Sequence, residues 1–349
     1  MTRSLLLGLP ALTVLLAFAP SAPRPDRATR APAATRALAT DAASCADCHA
    51  EIQREWASSL HGTAWTNESY QRALKRRKGA QRDACLPCHV PQPLGAAQLE
   101  AQEGERAAAP QARTVDLHAG VDCATCHRAD DGAMLGPFGG PSSAHASRQD
   151  ARFDPARVDR LCLACHATEI GPVLPLGQDF LSAPAREPAA SCGGCHMPAV
   201  ERAMATAATG EPAPPVRQGR SHALRGARDA GLLAETLDFE LERLASGALA
   251  LRVKNTGAAH RTPGLVGRKW QIDLELAPAS ATPPGAKAPK PRKASFEIRH
   301  DEALLPLAER SFEIDARELA GPLVAKVRAS YRLEGKESIA LPFRELELR

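Results

Sequence analysis

The cysteines of this 349-residue chain follow one rule without exception. All ten occur in pairs separated by two residues, and a histidine directly follows the second cysteine of every pair. The pairs lie between Cys45 and His196, which leaves roughly 30 residues for each, too few to enclose five separate cores. The motifs are Cys45-Cys48-His49, Cys85-Cys88-His89, Cys123-Cys126-His127, Cys162-Cys165-His166 and Cys192-Cys195-His196.

This spacing is typical of covalent haem attachment. Two thiols three residues apart can add to the two vinyl groups of one haem, and the adjacent imidazole then reaches the iron. We therefore predict five c-type haems as cofactors, packed together as a core, which agrees with an aromatic content of only 4%. Zinc ribbons and disulfides use the same cysteine spacing, but neither needs a histidine after every pair. The predicted proximal iron ligands are His49, His89, His127, His166 and His196.

The ligand on the other side of each iron separates electron carriers from enzymes. After His49, the residues Ile52, Trp56 and Leu60 recur at helical spacing, so one helix is predicted to reach His61. Such a helix separates His49 from His61 by about 18 Å, too far for both to bind one iron. We therefore expect His61 to serve a neighbouring haem.

Four histidines in loops complete the candidate distal ligands, because a loop can bring an imidazole to a haem from outside. They lie before the third motif, in the Gly- and Ser-rich stretch "GGPSSAHAS", after the Ala/Pro-rich loop 198–220, and in the turn "NTGAAHRTPG". Together with His61, the candidate distal ligands are His118, His145, His222 and His260.

Two other groups of side chains could compete for the same role. His300 lies on an alternating strand face and is expected to face its own core, so the protruding turn with His260 is favoured as the ligand. Met197 and Met204 could in principle ligate iron, but neither is expected to do so.

Beyond Thr236 the pattern changes, and apolar residues alternate with polar ones as in β-strands. Alternation over 237–253, interrupted at Ser246-Gly247, predicts a hairpin. Further alternating runs, which together predict a small antiparallel β-sandwich, lie over 270–276, 312–314 and 323–331. The Pro/Lys-rich stretch 278–293 predicts a surface loop.

The first residues read as an export signal, since Arg3 precedes an apolar run that is short for a membrane span. We therefore expect an exported protein of the bacterial periplasm or cell envelope, with membrane association only if the signal stays uncleaved. A net charge of +4 without a long basic stripe argues against nucleic-acid binding. We predict an export signal over 1–22, a disordered linker over 23–43, a pentahaem cytochrome domain over 44–230 and a β-sandwich domain over 236–349.

Residues 45–222 resemble multihaem c-type cytochromes of the cytochrome c-554 type. The resemblance is carried by "CADCHAEIQREWASSLHGTAW", "HAGVDCATCH", "GPFGGPSSAHAS" and "CGGCHMP". It implies distal iron ligation by His61, His118 and His145, often to a haem that is not the nearest in sequence. The segment around His222 keeps the family pattern only in part, with Leu224 where an aromatic residue is usual.

Related multihaem proteins also carry a β-domain with a turn similar to the one around His260. The resemblance therefore implies an α-helical, loop-rich multihaem c-type cytochrome domain followed by a small antiparallel β-sandwich domain.

Two functions are open at this point, with electron transfer favoured. Five haems with histidine on both sides are coordinatively full and tuned to low potential, which suits a non-catalytic carrier between redox partner proteins. The alternative is a multihaem oxidoreductase of the nitrite-reductase or hydroxylamine-oxidising type with one open haem. Such reductases often replace one proximal histidine by lysine, and this chain has no Cys-x-x-Cys-Lys motif. A third role, docking of a redox partner by the β-domain, is compatible with either. No catalytic residue is predicted.

Overall fold

The computed structural model describes residues 42–95, 110–140, 142, 144–183, 191–207, 212–279, 290–316, 319, 321–333, 335 and 337–348. The predicted export signal, most of the predicted linker and most of the Pro/Lys-rich loop lie outside these residues. Within the described part, no helix has the length and apolar character that crossing a membrane requires.

Short helices joined by loops make up the first half of the chain, and each of the five motifs begins, ends or lies within one of them. Two 3₁₀ turns, Leu117–Ala119 and Ala151–Phe153, lie between the helices. The helices are α1 (Ala42–Ser58), α2 (Glu68–Lys75), α3 (Ala80–Asp83), α4 (Leu86–His89), α5 (Cys123–His127), α6 (Asp159–His166), α7 (Leu176–Ser182), α8 (Cys192–His196) and α9 (Ala230–Ala234).

Several of these helices begin at a side chain that accepts a hydrogen bond from the first turn, which satisfies a backbone N–H that has no partner inside the helix. Asp122 caps α5 in this way, Ser191 caps α8 and Asp229 caps α9. Two of these caps immediately precede a haem-attachment motif. The local sequence therefore starts a helical turn at the residue where the motif begins.

Helix α1 differs from the prediction that one helix runs from His49 to His61. The backbone is interrupted at His49, where φ is −107° and ψ is 40°, and the helix ends at Ser58. His61 lies in the turns that follow, where the chain reverses and its carbonyl accepts a hydrogen bond from Val121 N at 3.3 Å. The helical spacing was correct for Ile52 and Trp56 but did not continue to His61.

Two small strand pairs accompany the helices. Strands β1 (Met134–Gly136) and β2 (Ser147–Gln149) are parallel, whereas β3 (Ala199–Ala203) and β4 (Val216–Arg220) form an antiparallel pair. The prediction of a loop over 198–220 was therefore wrong at both ends. The alanine and proline residues of that stretch gave no strand pattern in the sequence. Its two ends nevertheless form short strands that are hydrogen-bonded to each other.

Two antiparallel sheets form the second half of the chain. The predicted hairpin is confirmed as β5 and β6, paired in register from Leu237–Asn255 to Arg243–Leu249. One sheet has the order β5-β6-β9, and in the other β10 lies between β7 on one side and β11 and β12 on the other, with β8 beside β7. The strands are β5 (Leu237–Arg243), β6 (Leu249–Asn255), β7 (Lys269–Pro278), β8 (Arg292–Arg299), β9 (Glu309–Ile314), β10 (Leu323–Arg332), β11 (Ser338–Ala340) and β12 (Arg344–Glu347).

Side chains from both sheets join in one apolar cluster. Along β7 and β10 every second residue is buried, and Leu251 of β6 and Trp270 of β7 are both fully inaccessible to solvent. This is the packing that a β-sandwich requires.

The strand boundaries correct two predictions. Strand β7 continues to Pro278 and β8 begins at Arg292, so both ends of the predicted loop 278–293 are strand. His300 was predicted on a strand face, but β8 ends at Arg299 and His300 begins a 3₁₀ turn, where it is only half-buried. Its Nδ1 accepts a hydrogen bond from Gly267 N at 3.3 Å.

Candidate haem-iron centres

The helical conformation of the motifs explains how two thiols and one imidazole can serve one group. Residues i, i+3 and i+4 lie on one face of a helix, so Cys123, Cys126 and His127 of α5 share a face, as do the corresponding residues of α8. All ten cysteines are free of disulfides. Within the described residues, no group of three or more His, Cys, Asp or Glu side chains is arranged to hold a metal ion, which gives the zinc-ribbon alternative no support.

Backbone carbonyls orient most of the predicted proximal imidazoles. An Nδ1–H that donates to a carbonyl fixes the tautomer and leaves Nε2 with a lone pair for a metal. The Nδ1 bonds run from His49 to Met204 O (2.6 Å), from His89 to Ala64 O (2.8 Å), from His127 to Leu135 O (2.7 Å) and from His196 to Arg225 O (2.5 Å).

Four of the five motif histidines face a second imidazole. Two rings that bind one ion from opposite sides have centroids about 6.2 Å apart, since metal–nitrogen bonds are about 2 Å long. The observed separations fit a haem iron between each pair. The pairs are His49 with His145 (6.4 Å), His166 with His61 (6.1 Å), His127 with His222 (6.1 Å) and His196 with His260 (6.2 Å).

These pairs join segments that are distant in sequence. His61 faces the fourth motif rather than the first, although the helix on which that expectation rested ends at Ser58. His145, from the loop after the third motif, faces the first, and His222, from the segment after the fifth, faces the third. Each of the four imidazole pairs therefore brings together segments of the chain that are distant in sequence.

The second motif has a different environment. The ring of His89 is stacked on Tyr70, with centroids 3.6 Å apart and planes 6° from parallel. His118, the remaining candidate, is exposed on the 3₁₀ turn Leu117–Ala119. All eleven histidines belong to the described residues, and none of them packs against His89 as in the four pairs.

Burial favours the neutral form of four of the paired imidazoles, which is the form that ligates metal. Desolvation lowers the pKa of His61 to about 4, and the nearby His166 lowers it further. Desolvation also lowers the pKa of His127 to about 4, against the opposing effect of its hydrogen bond to Leu135 O. The pKa values of His166 and His222 are lowered by the same dominant cause. At neutral pH these side chains are therefore ready to coordinate.

Contacts between cysteines of different motifs place the five attachment sites next to one another. The neighbouring Cys45 raises the pKa of the Cys123 thiol, Cys88 raises that of Cys165, and Cys162 raises that of Cys192, so these cysteines lie close together. A hydrogen bond also links the helices of the fourth and fifth motifs, because Cys192 N donates to Asp159 Oδ1 of α6 at 2.9 Å. The first motif thus adjoins the third, and the fourth adjoins both the second and the fifth.

Two residues that sequence reasoning missed hold His222 in place. Arg202 of β3 donates two hydrogen bonds to Glu55 of α1, at 2.8 and 2.7 Å, and Glu55 in turn accepts from His222 N at 2.8 Å. The Arg202 hydrogen bonds are the largest cause that lowers the pKa of Glu55 from 4.5 to about 2. No local signal could have identified this pair, since its members are 147 residues apart.

Comparison with known proteins gives one match. Residues 44–128 match the family described as cytochrome c554 and c-prime. No curated protein and no solved structure matches the chain. The match covers the first three attachment motifs. It supports a c-type cytochrome with covalently bound haem, and electron transfer as the general function.

Proposed function

We propose that this protein carries electrons in the periplasm through five covalently bound c-type haems, four of which have histidine on both sides of the iron. The observation that carries this proposal is the set of four imidazole pairs with centroids 6.1 to 6.4 Å apart. Each pair contains one histidine of an attachment motif, so each has covalent attachment points beside it.

The residues of the chain hold each group rigidly and leave little to rearrange. When bound, a c-type haem supplies an iron that gains or loses one electron. Two neutral imidazoles favour a low potential and leave no position for a substrate. Carbonyls such as Met204 O and Leu135 O fix the imidazole planes, so both oxidation states meet the same geometry. Such sites suit electron carriage better than chemistry.

The contacts between motifs supply a route. Attachment sites whose cysteine thiols are in contact hold their haems side by side, so electrons need not cross long stretches of protein. The contacts connect the first motif to the third through Cys45 and Cys123, and the fourth to the second and fifth. Cys162 of the fourth motif contributes, after burial, to the raised pKa of Cys126 of the third, so these two motifs are also close. All five motifs therefore belong to one array.

Export and partner binding complete the proposal. The N-terminal residues have the pattern of an export signal, and haem attachment of this type is typical of exported cytochromes. The donor and acceptor are redox partner proteins that approach the array, and the β-sandwich offers a rigid surface beside it for docking.

The surroundings of His89 favour a second candidate function, oxidoreduction at one open haem. No imidazole faces His89 among the described residues, and its ring stacks on Tyr70, much as the ring of the paired His127 stacks on Phe153. The Tyr70 hydroxyl is buried and has no hydrogen-bond partner among the described residues. Burial raises the pKa of Tyr70 to about 12, so the hydroxyl keeps its proton at neutral pH. A haem at the second motif would therefore have a free coordination position for a small ligand.

Spin state tests the four imidazole pairs and shows whether the second site is open in the purified protein. Intact mass should show five haem additions, and the ferric electron paramagnetic resonance spectrum should show four low-spin haems and one high-spin haem. After reduction, carbon monoxide should bind one haem per chain. Replacing one paired imidazole, as in His145→Ala, should raise both the high-spin count and the carbon monoxide stoichiometry by one.

The matched control is His118→Ala, which removes an imidazole that faces no motif histidine. This variant should keep the wild-type spectrum. If wild-type protein is wholly low-spin and His118→Ala opens one haem, His118 closes the second site and the oxidoreductase candidate fails, while carriage stands. Carbon monoxide binding to three or more haems of the wild-type protein would contradict the four pairs and the carrier itself.

A further inference from the structure

An ion pair connects the turn around His260 to the helical half of the chain. The guanidinium of Arg261 donates two hydrogen bonds to Asp179 of α7, from Nε to Oδ2 at 2.6 Å and from Nη2 to Oδ1 at 2.8 Å. The backbone N of Arg261 donates a third to Oδ2 at 3.2 Å. A parallel two-bond contact of this kind fixes the orientation of both partners, which a lysine cannot do.

The pair is built into the protein rather than lying on its surface. The side chain of Asp179 is 7% exposed and that of Arg261 is 29% exposed. The hydrogen bonds that Arg261 donates to Asp179 are the largest cause that raises the pKa of Arg261. A carboxylate at this depth needs its partner, because removal of either charge leaves the other poorly solvated.

Arg261 also acts directly on the imidazole of the preceding residue. Nδ1 of His260 is hydrogen-bonded to the carbonyl of Arg261 at 2.9 Å, which directs Nε2 away from its own turn. The same residue is thus anchored to α7 through its side chain and backbone N, and orients His260 through its carbonyl. A shift of Arg261 would move the imidazole with it.

The other side of the turn is fixed to the β-sandwich. Asn255 is fully buried, and its Nδ2 donates to His260 O at 3.0 Å and to Leu304 O at 3.1 Å. Thr262 exchanges two backbone hydrogen bonds of 3.0 Å with Leu304. The turn is therefore rigid within its own half. Its position relative to His196 depends on the contacts it makes with the segment around α7.

Those contacts are few besides the ion pair. Val266 N donates to Pro172 O at 3.2 Å, and Gly264 packs so closely on Leu176 that a Cβ at that position would lie 2.8 Å from a leucine methyl carbon. Among the described contacts between the turn and this segment, the Asp179–Arg261 contact is an ion pair with two parallel hydrogen bonds, and it involves the residue next to His260.

We propose that Asp179 and Arg261 are positioning residues that hold His260 against the iron of the fifth haem and thereby keep that haem closed to external ligands. This inference rests on the proposed ligation of that haem by His196 and His260. Whether an external ligand can reach the fifth haem then depends on how the turn around His260 is placed relative to α7, and the Asp179–Arg261 ion pair fixes that placement. Neither residue touches the iron.

The test measures how readily His260 leaves the iron in the five-haem protein. Asp179→Asn keeps the size of the side chain but removes its charge, and Arg261→Lys keeps the charge but removes the two-bond geometry. In both variants the reduced fifth haem should bind carbon monoxide at least tenfold faster than in the wild type. Five haems should remain attached, and Asp179→Asn should have the larger effect. The His260→Ala variant marks the fully open haem.

Two control variants separate positioning from general loss of stability. Leu251→Ala removes a fully buried side chain from the β-sandwich, and Glu242→Gln breaks the partly exposed pair of Glu242 with Arg252. Neither should change the rate of carbon monoxide binding. If Leu251→Ala accelerates binding as much as Asp179→Asn, the ion pair has no positioning role.

The remaining outcomes separate the two levels of the proposal. If His260→Ala opens a haem while Asp179→Asn and Arg261→Lys both bind carbon monoxide at the wild-type rate, the positioning role is wrong and the ligation stands. If His260→Ala itself keeps the wild-type spectrum and binding stoichiometry, the ligation is wrong and the positioning role fails with it. Should Asp179→Asn not accumulate as folded protein, Arg261→Lys decides alone.

Discussion

The two halves of this molecule are stabilised in different ways. In the β-sandwich a large cluster of buried aliphatic and aromatic side chains includes Leu251, Trp270 and Ile298, each fully inaccessible to solvent. Among the described residues of the helical half, the corresponding cluster consists of Leu94, Leu161 and Ala164. Burial of apolar surface is the main favourable term in folding, so the helical half has far less of it in its own side chains.

Polar contacts take a larger share in the helical half. Arg113 is paired with Asp122, whose side chain is 1% exposed, and Arg202 joins α1 to β3 through Glu55. Hydrogen bonds and ion pairs of this kind contribute modestly to net stability, because both partners lose water when they form. The described residues of the helical half therefore bury less apolar surface than the β-sandwich, and the proposed haems would supply apolar surface there.

The largest difference between the two halves is expected when the chain is prepared without haem. We expect the helices α1 to α8 to lose protection against amide hydrogen exchange, while the strands β5 to β10 keep it. The difference in exchange protection should exceed roughly a thousandfold, because one half retains its core and the other does not. Hydrogen exchange with mass spectrometry measures this directly. Equal protection in both halves would mean that the helical half has a core independent of haem.

Truncation of a core leucine in each half compares how much each apolar cluster contributes to stability. Leu251→Ala should lower the free energy of unfolding of the β-sandwich by about 2 to 5 kcal/mol, because it leaves a cavity in a fully packed site. Leu161→Ala, in the small cluster, should cost less in the haem-loaded protein. Urea unfolding followed by far-UV circular dichroism gives both values. Leu251→Ala should leave the haem absorption spectrum unchanged, and an altered spectrum would show that the halves are not independent.

A smaller effect is expected from the charge that holds His222. The folded-state pKa of Glu55 is about 2 against an ordinary value of 4.5, so its contribution is present above pH 4.5 and is lost as the pH falls towards 2. Glu55→Gln should cost about 1 to 3 kcal/mol at pH 7. The gap to wild type should narrow between pH 4.5 and 2. A gap that does not change with pH would point to lost packing instead of lost charge.

The smallest effect is expected on the surface of the β-sandwich. Glu242 and Arg252 form a partly exposed pair on neighbouring strands, and surface pairs contribute about 0 to 1 kcal/mol. Glu242→Gln should therefore change the free energy of unfolding by less than Glu55→Gln in the same urea titration. A larger loss for Glu242→Gln would contradict the view that the β-sandwich is stabilised mainly by apolar burial.

Much of the organisation could be read from residues that act locally. The spacing of Cys123, Cys126 and His127 is a property of one helical turn, and the alternation over 237–253 is a property of two neighbouring strands. Both patterns are complete within a few residues. For the same reason the change from a motif-rich half to a β-rich half was visible without coordinates.

The limits of local patterns are equally specific. Helical spacing in the first segment suggested a helix up to His61, yet α1 ends at Ser58, where the chain turns to meet Val121. His300 was placed one residue too far into a strand. In both cases tertiary contacts decided where an element stops, and a periodic pattern carries no information about them.

The sequence by itself therefore determined the attachment motifs, the motif histidines and the candidates for the opposite side of each iron. Which candidate faces which motif was decided only by the tertiary structure, because each pair depends on how distant segments pack. His61 reached the fourth motif and His260 the fifth, while His118 remained exposed and His89 stacked on Tyr70. The Asp179–Arg261 contact across 82 residues has the same origin, since a buried charge finds its partner through folding and not through spacing.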